Sequence, residues 1–149
     1  MHKIVFLDID GVLCTRRSHV AMMGEGLMQH LDPIAVGLVH GLLANHGAQL
    51  VLSSTWREYH SKLSMTAILQ NAGMPTVPWH QNWLTTVRFD GNRGLEIENW
   101  LETSGGDCQY LIIDDNDDFL PEQKPFFVKT DFDNGFLWEH YEKSREILK

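Results

Sequence analysis

The chain has 149 residues, 43% hydrophobic and 21% charged, with a formal net charge of −8 and only two cysteines. That is the size of one ordinary domain with a real core, expected as a single unit over 1–149, and the acidic balance argues against broad binding to a nucleic-acid backbone. No apolar stretch approaches membrane-spanning length and the N-terminus enters strand structure at once, while Cys14 and Cys108 lie far apart, so a cytoplasmic protein with reduced thiols, no signal peptide and no membrane partner is expected.

In chain order, the first element is Lys3-Ile4-Val5-Phe6-Leu7, an apolar run that suits the centre of a parallel sheet with both faces covered. It ends in Asp8-Ile9-Asp10-Gly11, two carboxylates and a turn-forming glycine where open α/β sheets bind their ligands. Taken alone this could be an Asp-Gly turn capping a strand. Next, Asp32-Pro33 reads as the N-cap and first turn of a helix. Ile34, Leu38, Val39, Leu42 and Leu43 form its apolar face, and Gly47 closes it. Gln49 to Leu52 forms a short strand that runs out in hydroxyls, Ser53-Ser54-Thr55, followed by Trp56-Arg57. Hydroxyls and free backbone N–H groups at a strand end can hold phosphate oxygens.

A second helix is expected from about His60 to Ala72, then a short strand over 76–79. The run Pro78-Trp79-His80-Gln81-Asn82-Trp83 reads as a loop pinned to the core by its aromatics, or as a surface that stacks a base or sugar. A third helix spans Arg93–Glu102 and ends at Ser104-Gly105-Gly106. Arg93 stands at its N-terminal end, where a cation gains nothing from the helix dipole, so a bound anion would explain it; a plain surface arginine is the alternative. Tyr110-Leu111-Ile112-Ile113 is another apolar strand ending in carboxylates, Asp114 and Asp115, ahead of a solvated Asp117. Residues 125–129 read as a further strand and 136–148 as a terminal helix. The alternation predicts a right-handed, three-layer α/β/α fold, Rossmann-like, around a parallel sheet.

Two adjacent parallel strands would bring Asp8, Asp10 and Asp114 to one sheet edge, with Asp115 as a further candidate. Such clustered like charge needs a positive counterpart. All-oxygen ligation points to a hard cation, and Mg²⁺ commonly joins a few carboxylates to a phosphate. The eight histidines show no zinc-ligand spacing, and the acidic run at 114–118 lacks the glycine and glutamate positions of a calcium loop.

Asp8-x-Asp10-Gly11-Val12-Leu13, then Ser53 after a strand, Arg93 at a helix start and Ile112-Ile113-Asp114-Asp115 together resemble the four motifs of the haloacid dehalogenase (HAD) superfamily, over almost the whole chain. The phrases Leu-Ser-Ser-Thr-Trp-Arg and Glu-Ile-Glu-Asn-Trp-Leu also look like a small capless HAD group associated with nucleic-acid repair. The resemblance implies an Mg²⁺-dependent phosphohydrolase that cleaves phosphomonoesters through an aspartyl-phosphate. Asp8 would be the nucleophile, and Asp10 the acid that protonates the leaving oxygen and then activates water. Asp8, the backbone carbonyl of Asp10 and Asp114 would hold Mg²⁺, with Asp115 beside them. Ser53 would bind the transferring phosphoryl group, with Ser54 as a fallback, and Arg93 would stand where the family usually has lysine. Arg57, only four residues past Ser53, competes for the same phosphate.

The intervals Leu13–Asp32 and Gly73–Asn92 are too short for a cap domain; the first fits a helical turn and a small hairpin. An open site suits bulky substrates such as phosphorylated polymers or protein side chains, unless oligomerisation covers it; the expected partner is a phosphorylated small molecule or polymer end. A short basic groove near Arg16, Arg17, Arg57, Arg88 and Arg93 is compatible with the net charge. Three functions follow: a general phosphomonoesterase, a polynucleotide end-processing phosphatase, and a catalytically silent module that binds a phosphorylated partner. Intact Asp8 and Asp10 speak against silence.

Overall fold

The computed structural model describes residues 1–24, 29–88 and 90–149. Five parallel strands form one sheet in the order β3-β2-β1-β4-β5. They are β1 (His2–Leu7), β2 (Gln49–Leu52), β3 (Trp79–Leu84), β4 (Cys108–Asp114) and β5 (Phe127–Lys129). The helices are α1 (Arg16–Ala21), α2 (Pro33–His46), α3 (Lys62–Asn71), α4 (Arg93–Trp100) and α5 (Trp138–Ile147). This is the expected α/β Rossmann-like sheet without a cap.

Strand periodicity sorts the core. Val5 and Leu7 of β1, Leu50 and Leu52 of β2, and Leu111 and Ile113 of β4 join the residues that α2, α3 and α5 bury on one face. The alternating Ile4, Phe6, Val51 and Ile112 join Ile97 and Trp100 of α4 on the other. A period-two strand buried on both sides reads as a continuous apolar run, which is what marks β1 in the sequence. Phe6 meets Trp100 edge to face, with ring centres 5.2 Å apart. Among the described residues, no helix is long and apolar enough to cross a membrane.

α2 starts and stops as expected: Asp32 Oδ1 accepts from the Ile34 N–H at 2.9 Å, and Gly47 closes the helix in the left-handed conformation at φ 60°. Three boundaries differ. The strand expected at 76–79 begins only at Trp79, and the aromatic run expected as a loop is itself the edge strand β3. Its side chains do pin it: Trp79 Nε1 donates to Thr66 Oγ1 at 2.8 Å, and Trp100 Nε1 donates to Asn82 O at 3.0 Å. Residues 121–126, partly expected as strand, form a 3₁₀ turn before β5, because Pro121 and Pro125 remove ladder donors. The third helix loosens into a π-turn over Leu101–Gly105 instead of ending in Gly alone. α1 supplies the helical turn expected between Leu13 and Asp32. The small hairpin expected there falls partly on residues 25–28, outside the described residues.

Candidate active site

The carboxyl edge of the sheet carries a row of five buried polar residues, one from the end of each strand. Leu7 of β1 pairs with Leu52 of β2 on one side and Ile113 of β4 on the other. One step further, the N–H of Ser53 donates to Leu7 O and that of Asp8 to Ile113 O, both at 3.0 Å. Thr85 N donates to Leu52 O at 3.1 Å and Thr130 N to Asp114 O at 3.0 Å. The row therefore reads Thr85, Ser53, Asp8, Asp114, Thr130, and no member is more than 4% exposed. Burying unpaired polar groups is costly, so such a row calls for a ligand or for internal partners.

Some partners are internal. Arg93, the first residue of α4, sends one nitrogen between two carboxylates: Nη1 lies 3.1 Å from Asp8 Oδ1 and 3.0 Å from Asp114 Oδ2. Asn92 fixes that helix start by accepting from the Leu95 N–H. Gly94 N donates to Asp118 O at 3.0 Å, and the buried Gln123 donates through Nε2 to Gly94 O at 2.8 Å. A side chain at position 94 would crowd Leu120 N and Gln123, so the absence of Cβ lets Arg93 reach the sheet edge. Asp8 Oδ1 also accepts from the Ile9 N–H at 2.9 Å. Its Oδ2 takes no hydrogen bond among the described residues.

Burial raises the Asp8 pKa, against the pull of Arg93. Burial and then the neighbouring Asp8 raise that of Asp114, which Arg93 again opposes. Asp115 completes the group: Asp8, Asp114 and Asp115 can each turn an oxygen into one space, all within 4.8 Å of one another. Asp115 lies flat against Gly11, whose φ is +79° and whose hypothetical Cβ would overlap the carboxylate. One guanidinium facing three clustered carboxylates leaves the site net negative. An all-oxygen donor set of this kind can hold a hard cation.

The Asp10 side chain stands apart from that cluster. It is half-buried and lines a cavity of about 600 Å³ together with Thr55, Trp56, Tyr59, His60 and Ile68. Burial raises its pKa, a hydrogen bond from the Trp56 side chain lowers it, and Asp115 raises it again. Cys14, behind the loop, is fully buried, and burial with Asp10 nearby pushes its thiol up to about 12, so it packs as a small apolar group.

The two serines divide. Ser53 Oγ is buried with no hydrogen-bond partner among the described residues. Ser54 Oγ is spent as a cap, accepting from the Trp56 N–H at 3.2 Å. Arg57, the expected competitor for the phosphate, donates through Nη1 to Ser54 O at 2.7 Å and through Nη2 to Glu96 Oε2 at 2.8 Å, and its buried Nε has no hydrogen-bond partner among the described residues. The basic groove also takes a different form, since each of its five arginines has an acidic partner. Arg16 pairs with Asp133, Arg17 with Asp32 and Arg88 with Asp90; Arg57 and Arg93 pair as above.

Two members of the row carried no signal in the sequence. Thr130 donates through Oγ1 to Gly11 O at 2.6 Å and so ties the Asp8–Gly11 loop to the end of β5. Thr85 holds a second buried hydroxyl without a partner. Both follow the edge strands, and a lone threonine in a turn looks like any other.

A family model described as a HAD domain in Swiss Army Knife RNA repair proteins matches residues 4–141. The chain belongs to this HAD family. No curated protein and no solved structure matches it. Membership implies phosphohydrolase-type activity, and the matched span takes in the whole polar row, from Asp8 to Thr130. For a HAD domain the sheet order places the two carboxylate-bearing strands, β1 and β4, side by side at its centre.

Proposed function

We propose that this HAD domain is an Mg²⁺-dependent phosphohydrolase that cleaves phosphomonoesters through an aspartyl-phosphate on Asp8. The observation that carries the reading is the asymmetry of the Asp8 carboxylate. Arg93 and the Ile9 N–H both hold Oδ1, which orients the group and leaves Oδ2 free to attack. Attack by Oδ2 forms a P–O bond to Asp8 as the bond from phosphorus to the leaving oxygen breaks. Asp10, set off on the cavity side, gives that oxygen its proton. The same carboxylate then takes a proton from water as the water attacks phosphorus, releasing phosphate and restoring Asp8. Ser53 Oγ is the donor in reserve for a phosphoryl oxygen, because its buried hydroxyl has no other use. Arg93 offsets charge that develops on the phosphoryl oxygens.

Asp8, Asp114 and Asp115, with the backbone carbonyl of Asp10, would hold Mg²⁺. When bound it supplies positive charge that lets an anionic substrate approach an anionic nucleophile. Arg93 fills the role the superfamily usually gives to lysine. A guanidinium is always charged, and its fork can bind two oxygens at once.

The test is turnover with Mg²⁺ across small phosphomonoesters, phosphopeptides and 3′- or 5′-phosphorylated oligonucleotides, wild type beside Asp8→Asn. The variant should keep its fold and lose nearly all turnover, and beryllium fluoride should bind wild type only. Wild-type rates in Asp8→Asn would remove the reading. A polynucleotide end is the substrate that the family description favours.

A further inference from the structure

The cavity beside Asp10 has an aromatic wall that the phosphoryl chemistry does not need. Trp56 and His60 stack with ring centres 5.3 Å apart and planes 29° from parallel. His60 Nδ1 is held by Ser64 Oγ at 3.1 Å, which fixes the ring. Trp56 is fixed from behind. Ser54 Oγ caps its short 3₁₀ turn, Thr55–Glu58, and Arg57 in the same turn is bound to Ser54 O and the buried Glu96. The indole lines the cavity beside Asp10. At the rim, Tyr59 is 80% exposed, a large aromatic left facing water. Thr55 adds a polar edge and Ile68 an apolar one, and at about 600 Å³ the space falls within the ordinary range of small-ligand sites.

We infer that the Trp56–His60 pair is a stacking subsite for the base of a nucleoside leaving group, with Trp56 setting substrate specificity. The inference rests on the reading that the leaving group departs on the Asp10 side. A rigid aromatic pair binds the face of a heterocycle of any sequence, and it does so without neutralising phosphates. That matters here because each of the five arginines of the expected basic groove has a carboxylate partner, which leaves less free positive charge for a long polyanion. A phosphorylated terminal nucleoside uses both halves of the site: the phosphate at Asp8 and Ser53, the base on Trp56.

The experiment compares wild type, Trp56→Phe and Trp56→Ala on nucleoside 3′- and 5′-monophosphates, β-glycerophosphate and phosphotyrosine. The readout is the ratio of kcat/KM for each nucleotide to that for glycerophosphate. In Trp56→Ala the ratio should fall roughly 5- to 150-fold, the equivalent of one base–aromatic stack, and Trp56→Phe should keep most of it. Binding of unphosphorylated adenosine, followed by NMR, should saturate with wild type and vanish with Trp56→Ala. An unchanged ratio together with no adenosine binding would overturn the subsite, as would a Trp56-dependent preference for phosphotyrosine. Absence of turnover with every substrate would instead defeat the phosphatase reading, and the adenosine titration would still decide the subsite.

Discussion

Arg57 Nη2 and Glu96 Oε2 lie 2.8 Å apart in an ion pair whose side chains are only 4% and 2% exposed. That pair separates the two arginines that compete for the phosphate. Arg57 is held by Ser54 O and Glu96 and braces the Trp56 turn against α4, while Arg93 enters the row. Removing one partner of a buried pair leaves the other charge stranded, at a typical cost of about 3–5 kcal/mol. Arg57→Ala should therefore lower unfolding free energy by that order in urea titration. Replacing both partners, as Arg57→Met with Glu96→Leu, should cost less than the single change. Full stability in Arg57→Ala would show that the pair holds nothing.

Arg93 should behave differently. Its contacts are with Asp8 and Asp114, so its loss acts on charge at the reacting centre. If Arg93 offsets charge in the transition state as proposed, Arg93→Ala should lower kcat and kcat/KM together. Arg93→Lys should recover much of the rate, since lysine supplies the same charge. A raised KM with normal kcat would make Arg93 a substrate clamp and nothing more.

On the proposed mechanism, chemistry and metal binding separate at Asp10. Its side chain lies outside the carboxylate cluster, so Asp10→Asn should retain Mg²⁺ affinity and lose acid–base catalysis, about 10²–10⁴-fold in rate. The loss should shrink with nitrophenyl phosphate, whose leaving group needs little protonation. Equal losses on good and poor leaving groups would assign Asp10 another role.

Local physics explains which of these features the sequence discloses. β1 and β4 are buried on both faces, so their apolar runs stand out, and the carboxylates that end them are conspicuous because Asp seldom follows Leu or Ile in a core. Asp32-Pro33 and Gly47 mark α2 because capping chemistry is local. β3 leaves no clear mark because an edge strand rich in Trp, His, Gln and Asn has no clean alternation, and its burial depends on Thr66 and Trp100 from other elements. The same limit applies to the site. Asp8, Asp10 and Asp114 sit at strand ends that can be read off directly. The commitment of Arg57 to Glu96, 39 residues away, and of Thr130 to Gly11, 119 residues away, are tertiary facts with no local trace.

At Asp8 and Asp114, pH and metal binding act on the same carboxylates. Burial raises the carboxyl of Asp8 to about 6 and that of Asp114 to about 8, both from an ordinary 3.8. For an acid whose folded pKa is raised, the folded state holds its proton more tightly than the unfolded chain. The stabilising contribution is complete below about pH 4 and is lost as pH rises through the folded values. Metal-free protein should therefore lose stability from these two groups between about pH 4 and 8. Mg²⁺ binds the ionised carboxylates, so its stabilisation should run the other way and grow over the same range. At 100 times Kd a bound ligand adds about 2.7 kcal/mol, and the Tm gain from saturating Mg²⁺ should be larger at pH 8 than at pH 5.5. Asp114→Asn removes one buried charge; the metal-free variant should be more stable than wild type at pH 8, by at least about 1 kcal/mol for a single pKa unit relieved. It should also lose most of the Mg²⁺ effect. A Tm gain from Mg²⁺ that is equal at both pH values, or unchanged in Asp114→Asn, would place the metal away from Asp8 and Asp114.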